Sequence, residues 1–480
     1  MPTITRRNFL GLVGAGAAAA AIACSPRRLP AADATAAAPA PQAAAPARRP
    51  NVLMLYTDDQ RYDSIGALGT PVVQTPNIDA LMARGTVFTN PYIMGGTQGA
   101  ICVCSRACLM TGRTLWHAPG DLPADLPLWP EVFRKAGYTT FAAGKWHNGR
   151  PSHARCFSAG GAIFFGGMSD HLQVPVHDFD PTGKYAKADA HVGKAFSSEL
   201  FSDTAIRFLK DYKEERPFFL YLAYTAPHDP RMAPEKYARM YPPEKVPLPP
   251  NFLPEHPFDN GIRTIRDEVL APYPRTAEDT RRQIGAYYAM ITHLDEQIGR
   301  VLAALKEAGH DQDTIVVFGG DNGLAVGQHG LFGKQNCYEH SLRVPLAIAG
   351  PGIAAGERRD AFVYHLDIFP TVCDLAGVPA PATVEGKSLA GVLRDKSATV
   401  RDSIYAGYTG LMRSVRDERF KLIRYTVKSE RHVQLFDLKN DPWETKNLAD
   451  DPAMAKQVAA LDARMAAWRK QTDDPWKGTA

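Results

Sequence analysis

The chain has 480 residues, 45% hydrophobic and 22% charged, a globular composition with ample material for a core. Its formal net charge is +4, and setting aside Arg6 and Arg7, the only charges in the first 23 residues, leaves +4 − 2 = +2. That balance argues against a nucleic-acid-binding protein, which needs a concentrated basic face, and no window after residue 50 reaches the roughly 20 apolar residues that span a bilayer.

In chain order, Thr5-Arg6-Arg7-Asn8-Phe9-Leu10 and the Gly/Ala-rich run Gly11 to Ala23 read as a twin-arginine signal peptide over 1–23. This predicts the twin-arginine export machinery as a partner and a periplasmic or extracellular location. Ala21-Ile22-Ala23 fits small-residue cleavage. It also loosely fits a lipoprotein box, which would anchor the chain through Cys24. Residues 24–50, almost all Ala, Pro and Arg, cannot bury a core and read as a disordered linker. The fold is expected from Asn51.

Asn51 to Tyr56 is a short apolar run ending in Thr57-Asp58-Asp59, the pattern of a buried parallel strand with two carboxylates at its carboxyl end. Thr139 to Ala143, Phe218 to Ala223, Thr314 to Phe318 and Val344 to Ile348 read the same way. Between them lie helical patterns, the clearest from Glu278 to Ala308, with Ile284, Tyr287, Ile291, Leu294, Ile298, Val301 and Leu305 three or four residues apart. Strand–helix alternation predicts an α/β fold with a mostly parallel central sheet flanked by helices. Ligands of such sheets bind beyond the carboxyl ends of the strands. Residues 236–275 are Pro-rich and read as a long surface loop. After about residue 400, Arg413 to Tyr425 and Val433 to Asp437 look like strands of a short antiparallel sheet, and a last helix is expected from Pro452 to Gln471. The expected division is a catalytic domain over 51–400 and a smaller α+β subdomain over 401–480.

Asp58 and Asp59, with Asp321-Asn322 after the Thr314 strand, give three carboxylates and an amide at strand ends. Like charges gathered this way need a cation, and all-oxygen ligation suits Ca²⁺ or Mg²⁺ rather than Zn²⁺. Asp58-Asp59 alone would equally suit a helix cap. Seven cysteines, Cys24, Cys102, Cys104, Cys108, Cys156, Cys337 and Cys373, announce no disulfide framework. Ser105 and Arg106, three and four residues after Cys102, would share a face of a helix starting there. That helix N-terminus offers free N–H groups and a dipole that suits an anion.

Cys102-Val103-Cys104-Ser105-Arg106 followed by Met110-Thr111-Gly112-Arg113 resembles the signature of the type I sulfatases, formylglycine-dependent members of the alkaline-phosphatase-like superfamily. Cys104 departs from the pattern, standing where the family has Pro or Ala. Gly144-Lys145-Trp146-His147-Asn148-Gly149, Ala226-Pro227-His228 and the block from Asp321 through Lys334 to Pro345 resemble further elements of that family, and the likeness runs from Asn51 to about Leu448.

The resemblance implies an alkaline-phosphatase-like core and a sulfuric ester hydrolase. A maturation enzyme would convert Cys102 to formylglycine (3-oxoalanine), whose hydrate is the nucleophile. One Ca²⁺, in preference to Mg²⁺, would be held by Asp58, Asp59, Asp321, Asn322 and residue 102. Arg106 would neutralise the nucleophile. Lys145, His228 and Lys334 would bind the sulfate, with His228 or Lys334 protonating the departing alcohol and His147 acting as base. Expected substrates are a sulfated carbohydrate or a small sulfate ester. His293, His329 and His365 receive no chemistry. The alternatives are a phosphoester or phosphonate-ester hydrolase of the same superfamily, or a binder of sulfated ligands if Cys102 stays a thiol. Loops 150–195 and 236–275 and the C-terminal subdomain are expected to set specificity.

Overall fold

A computed structural model describes residues 48–70 and 72–478. The signal peptide, Cys24 and the linker up to Ala47 lie outside the described residues. Eight strands form the main sheet: β1 (Asn51–Thr57), β2 (Thr86–Tyr92), β3 (Thr139–Lys145), β4 (Ala159–Phe164), β5 (Phe218–Ala223), β6 (Thr314–Gly320), β7 (Leu346–Ala349) and β8 (Glu357–Tyr364). Their order across the sheet is β8-β2-β7-β6-β1-β5-β3-β4.

β1 is fully buried, and its alternate residues serve two cores. Leu53 and Leu55 face helices Ser197–Asp211 and Ala277–Glu307 through Phe201, Leu209, Met290, Leu294 and Ile298. Val52, Met54 and Tyr56 belong to the opposite core with Ala107 and Leu109 of helix Ile101–Thr111 and Phe369 of helix Ile368–Ala376. The long helix spans Ala277–Glu307 against the predicted 278–308, and Thr276 caps it by accepting from the Asp279 N–H.

Val344 to Ile348 departs from expectation. The strand there runs from Leu346 to Ala349 and is antiparallel to both β6 and β2, while the other neighbouring strands pair in parallel. An apolar run signals burial on both faces but carries no direction. The region 236–275 also departs from a surface loop. It is largely irregular, yet Glu268 and Arg275 are completely buried as an ion pair at 2.6 Å.

The second sheet is antiparallel through β9 (Ile404–Tyr408), β10 (Met412–Arg416), β11 (Phe420–Val427) and β12 (Glu430–Asp437). Gly95–Gly96 extends it, pairing in parallel with β9. The last helix, Ala455–Gln471, buries Leu461 and Met465 in the same core as Met54 and Leu109. Among the described residues, no helix is long and apolar enough to cross a membrane.

Strand register positions the site. Thr57 is paired with Gly320, so Asp58-Asp59 and Asp321-Asn322 emerge side by side. Tyr56 is paired with Ala223, and Ala223 with Gly144, which puts the segment leading to His228, and Lys145, at the same edge.

Candidate active site

Asp59 has φ +64°, a left-handed conformation uncommon outside glycine. The chain turns there, and both carboxylates enter one pocket instead of alternating as on a continuing strand. Asp59 N–H donates to Asp321 Oδ1 at 3.1 Å. At the end of β3 the register shifts between Ala143 and Gly144, a bulge that re-aims Lys145. Gly144 has φ +91°, and a Cβ there would stand 1.9 Å from the Ala223 carbonyl oxygen. Only glycine fits.

Cys102 is the second residue of helix Ile101–Thr111, after an Ala100 N-cap. Its Sγ lies 3.2 Å from His147 Nδ1 and 3.8 Å from Lys145 Nζ. Burial pushes the thiol up despite Lys145 and Lys334. Arg106 Nε donates to Asp321 Oδ2 at 2.9 Å, its Nη2 lies 3.8 Å from Asp58 Oδ2, and the guanidinium covers the Tyr56 ring. Lys145 Nζ is ion-paired with Asp58 and donates to the Gly167 carbonyl at 2.5 Å. Lys334 Nζ contacts Asp59 Oδ1 at 2.5 Å, while His228 Nε2 lies 3.6 Å from Asp59 Oδ2. Asn322 Nδ2 donates to Asp59 Oδ1 at 2.6 Å. All ten residues singled out in the sequence therefore meet in one cluster. His147 is pulled down to about 2 by burial and by Lys145 and Arg106, so its ring is neutral.

A metal ion fits these residues. Asp58 Oδ1 and Asn322 Oδ1 are buried acceptors without a hydrogen-bond partner. Asp58, Cys102 and Asp321, and likewise Asp58, Asp59 and His228, present ligand atoms within 4.8 Å of one another. Burial and the neighbouring Asp58 push Asp321 up to about 7, the mark of crowded carboxylates that a cation relieves. Three carboxylates face three fixed cations, Arg106, Lys145 and Lys334. The two charges of a divalent ion would thus give the pocket its net attraction for an anion.

A cleft of about 310 Å³ opens over Cys102, His147, His228 and Lys334. Gly167 and Met168 from the first predicted specificity loop, and Ile265, Arg266 and Asp267 from the second, line it. Sequence reading missed Asp229, Arg266, Asp267 and Gln335. Their signal was weak: Arg266-Asp267-Glu268 reads as a solvated charge run, and Asp229 simply follows a histidine. His365 sits beneath the site, its Nε2 bonded to the Ser105 carbonyl at 2.6 Å. His329 stacks on Tyr338 at 3.9 Å, and His293 meets Glu199 at 3.1 Å. The six described cysteines, Cys104 and Cys108 among them, are free.

Comparison with known proteins places this geometry. The family model described as Sulfatase matches residues 50–378, and one described as N-sulphoglucosamine sulphohydrolase, C-terminal, matches residues 327–471. A sulfatase of Formosa agariphila is 29% identical over 449 residues, covering 86% of this chain and 86% of that protein. A solved structure in complex with its substrate D-glucosamine-2-N,6-O-disulfate superposes with a TM-score of 0.74 at 25% identity, covering 89% of this chain and 99% of the other. The phosphonate monoester hydrolase of Agrobacterium radiobacter superposes with a TM-score of 0.71 at 25% identity, covering 88% and 96%. The fold is alkaline-phosphatase-like, and the chain belongs to the sulfatase family, hydrolases of sulfuric esters.

Proposed function

We propose that the chain releases inorganic sulfate from a sulfate monoester, a sulfated carbohydrate or small sulfate ester, with formylglycine made from Cys102 and one Ca²⁺. Asp58, Asp59, Asp321 and Asn322 would hold the ion together with residue 102. The oxygen-only protein set suits Ca²⁺, which tolerates irregular coordination better than Mg²⁺. When formed, the hydrated aldehyde supplies an oxygen nucleophile and a second hydroxyl, which a thiol lacks.

The chain's own residues do the rest. Arg106, anchored on Asp321, holds positive charge beside residue 102. Lys145, His228 and Lys334 donate to sulfuryl oxygens, where charge is stabilised in the transition state. His228 or Lys334 protonates the departing alcohol. His147 is neutral and within hydrogen-bond distance of residue 102, and accepts its proton. The observation that carries this reading is the convergence of Cys102, His147 and Lys145 within 3.8 Å at a helix N-terminus.

The catalytic domain is assigned to 51–400 and the C-terminal subdomain to 401–480. A maturation enzyme acting on Cys102 and twin-arginine export to the periplasm or beyond complete the reading. A second reading, hydrolysis of a phosphoester or phosphonate ester, is favoured by the likeness to the phosphonate monoester hydrolase. Parallel assays on an aryl sulfate and the matching aryl phosphate and phosphonate esters decide. Faster turnover of the sulfate supports the first reading, and faster turnover of either phosphorus ester overturns it.

A further inference from the structure

His228 and Lys334 come from distant segments, yet they are joined by a closed ring of contacts. They meet on the inner side at Asp59: Lys334 Nζ at 2.5 Å from Oδ1 and His228 Nε2 at 3.6 Å from Oδ2. On the outer side His228 Nδ1 lies 2.9 Å from the Asp229 carbonyl oxygen and 3.3 Å from Asp229 Oδ1. Arg266 then grips Asp229 with both arms, Nη1 to Oδ2 at 2.5 Å and Nη2 to Oδ1 at 2.8 Å. The same guanidinium contacts Asp267 Oδ1 at 2.5 Å. Asp267 Oδ2 accepts from Gln335 Nε2 at 2.6 Å, and Gln335 Oε1 accepts the Lys334 N–H at 3.0 Å. The ring closes there.

Two further ties hold the same loops. Gln335 Nε2 also donates to the Gly99 carbonyl at 2.9 Å, just before the helix that carries Cys102. Glu268 accepts the N–H groups of Phe332 and Gly333 at 3.0 and 2.8 Å, immediately ahead of Lys334. Glu268 is itself fixed by buried Arg275. Carboxylates accepting main-chain N–H groups and bidentate arginine pairs are strong, directional contacts. An irregular loop thus holds Arg266 and Asp267 at the cleft and buried Glu268 behind them.

We infer that Arg266, Asp267 and Glu268 are positioning residues, a clamp that holds His228 and Lys334 at a fixed separation across the bound sulfuryl group. The inference rests on His228 and Lys334 being the sulfate-facing donors. Neither the clamp nor Asp229 needs to touch substrate. Arg266 already spends its donors on Asp229, Asp267 and Met168 Sδ, and its side chain is 43% exposed. Displacing supporting residues of this kind costs about 10- to 100-fold in function in comparable sites.

The test uses the full-length matured enzyme with an aryl sulfate as substrate and inorganic sulfate as competing ligand. Wild-type turnover of the aryl sulfate, with competitive inhibition by sulfate, checks the underlying reading by itself. Arg266→Met is expected to lower kcat/KM about 10-fold or more and to raise the inhibition constant for sulfate by a similar factor, with both measured at a temperature where the variant is fully folded. Arg266→Lys keeps the charge but not the two-armed grip on Asp229, and should not restore it. Asp267→Asn should weaken sulfate binding in the same way, and the Arg266→Met/Asp267→Asn double variant should be little worse than either single one, because both cut one ring. If Arg266 instead contacts substrate beyond the sulfate, Arg266→Met raises KM for large substrates and leaves sulfate inhibition untouched. That result, or additive effects in the double variant, would each overturn the clamp.

Discussion

Cys102 Sγ and His147 Nδ1 stand 3.2 Å apart, with Lys145 Nζ 3.8 Å from the same sulfur. His147 is part of the cleft lining, and burial together with Lys145 and Arg106 keeps it neutral by pulling it down to about 2. A neutral imidazole beside residue 102 keeps a ring nitrogen free to accept a hydrogen bond or proton from it. His147→Gln keeps size and hydrogen-bonding capacity but not basicity. It should reduce kcat on an aryl sulfate by about 10²-fold or more, with KM little changed. Equal kcat in the variant would remove His147 from proton transfer.

Conversion of Cys102 is readable directly. The tryptic peptide Gly85 to Arg106, from protein made in its native host, should carry an aldehyde at position 102. Cys102→Ala should abolish turnover while leaving the fold intact. An unmodified thiol in active native protein would sink the formylglycine mechanism, and an unmodified thiol in inactive native protein would favour the sulfate-binding alternative.

Three crowded buried carboxylates, with Asp58 Oδ1 and Asn322 Oδ1 lacking a hydrogen-bond partner, make the site one for a divalent ion. Prolonged dialysis against a chelator should lower both activity and Tm, and Ca²⁺ should restore both, with one ion per chain by elemental analysis. Binding to the folded state alone stabilises it by about 2.7 kcal/mol at 100 times Kd. Asp59→Asn should lower activity at least about tenfold and weaken ion retention. Full activity after verified removal of all divalent ions would refute the metal assignment.

Much of this site could be read from strand ends. Asp58, Asp59, Asp321 and Asn322 follow apolar runs, and the pairing of Thr57 with Gly320 brings them together. The helix from Ala277 was equally legible, because its apolar face repeats over 31 residues. Edge and near-edge strands were not. β8 carries exposed Arg358 and Asp360 on either side of a buried but charged Arg359, so its apolar pattern is diluted. Leu346–Ala349 announced its burial but not its reversed direction. The Arg266-Asp267-Glu268 clamp was invisible for a different reason: its ties to Asp229, Gln335 and Gly333 each span more than 35 residues, and sequence spacing says nothing of that.

Cys104 tests how much of the signature this chain needs. It is buried, and among the described residues its thiol meets Thr97 Oγ1 at 3.5 Å, whereas that of Cys102 meets His147 and Lys145. Cys104→Ala removes one buried sulfur and should cost about 1 kcal/mol or somewhat more, with the aldehyde content at 102 unchanged by peptide mass. A variant that folds but retains the thiol at 102 would assign Cys104 a part in maturation.

Acid should unfold this protein early. Outside the cleft lining, His153 and His329 are held down to about 3, and His171, His256 and His365 to about 4, chiefly by burial. Their folded pKa values lie below the unfolded value of about 6.5. Between those limits the unfolded chain binds protons that the native chain refuses. The stabilising contribution is therefore complete above about pH 6.5 and is lost as pH falls toward 4, at about 1.4 kcal/mol per pH unit for each histidine. Asp295, raised to about 6 by burial, and Glu444, raised to about 7 by burial, run the other way, since the native state takes up their protons first. Five such histidines outnumber the carboxyls that burial raises outside the metal site, Asp295, Glu444 and Glu268, and leave a net loss on acidification. Tm measured from pH 8 to pH 5 should stay level at first and then drop steeply below about pH 6.5. A Tm that is flat or rising down to pH 5 would show that these imidazoles reach solvent and titrate in the native state.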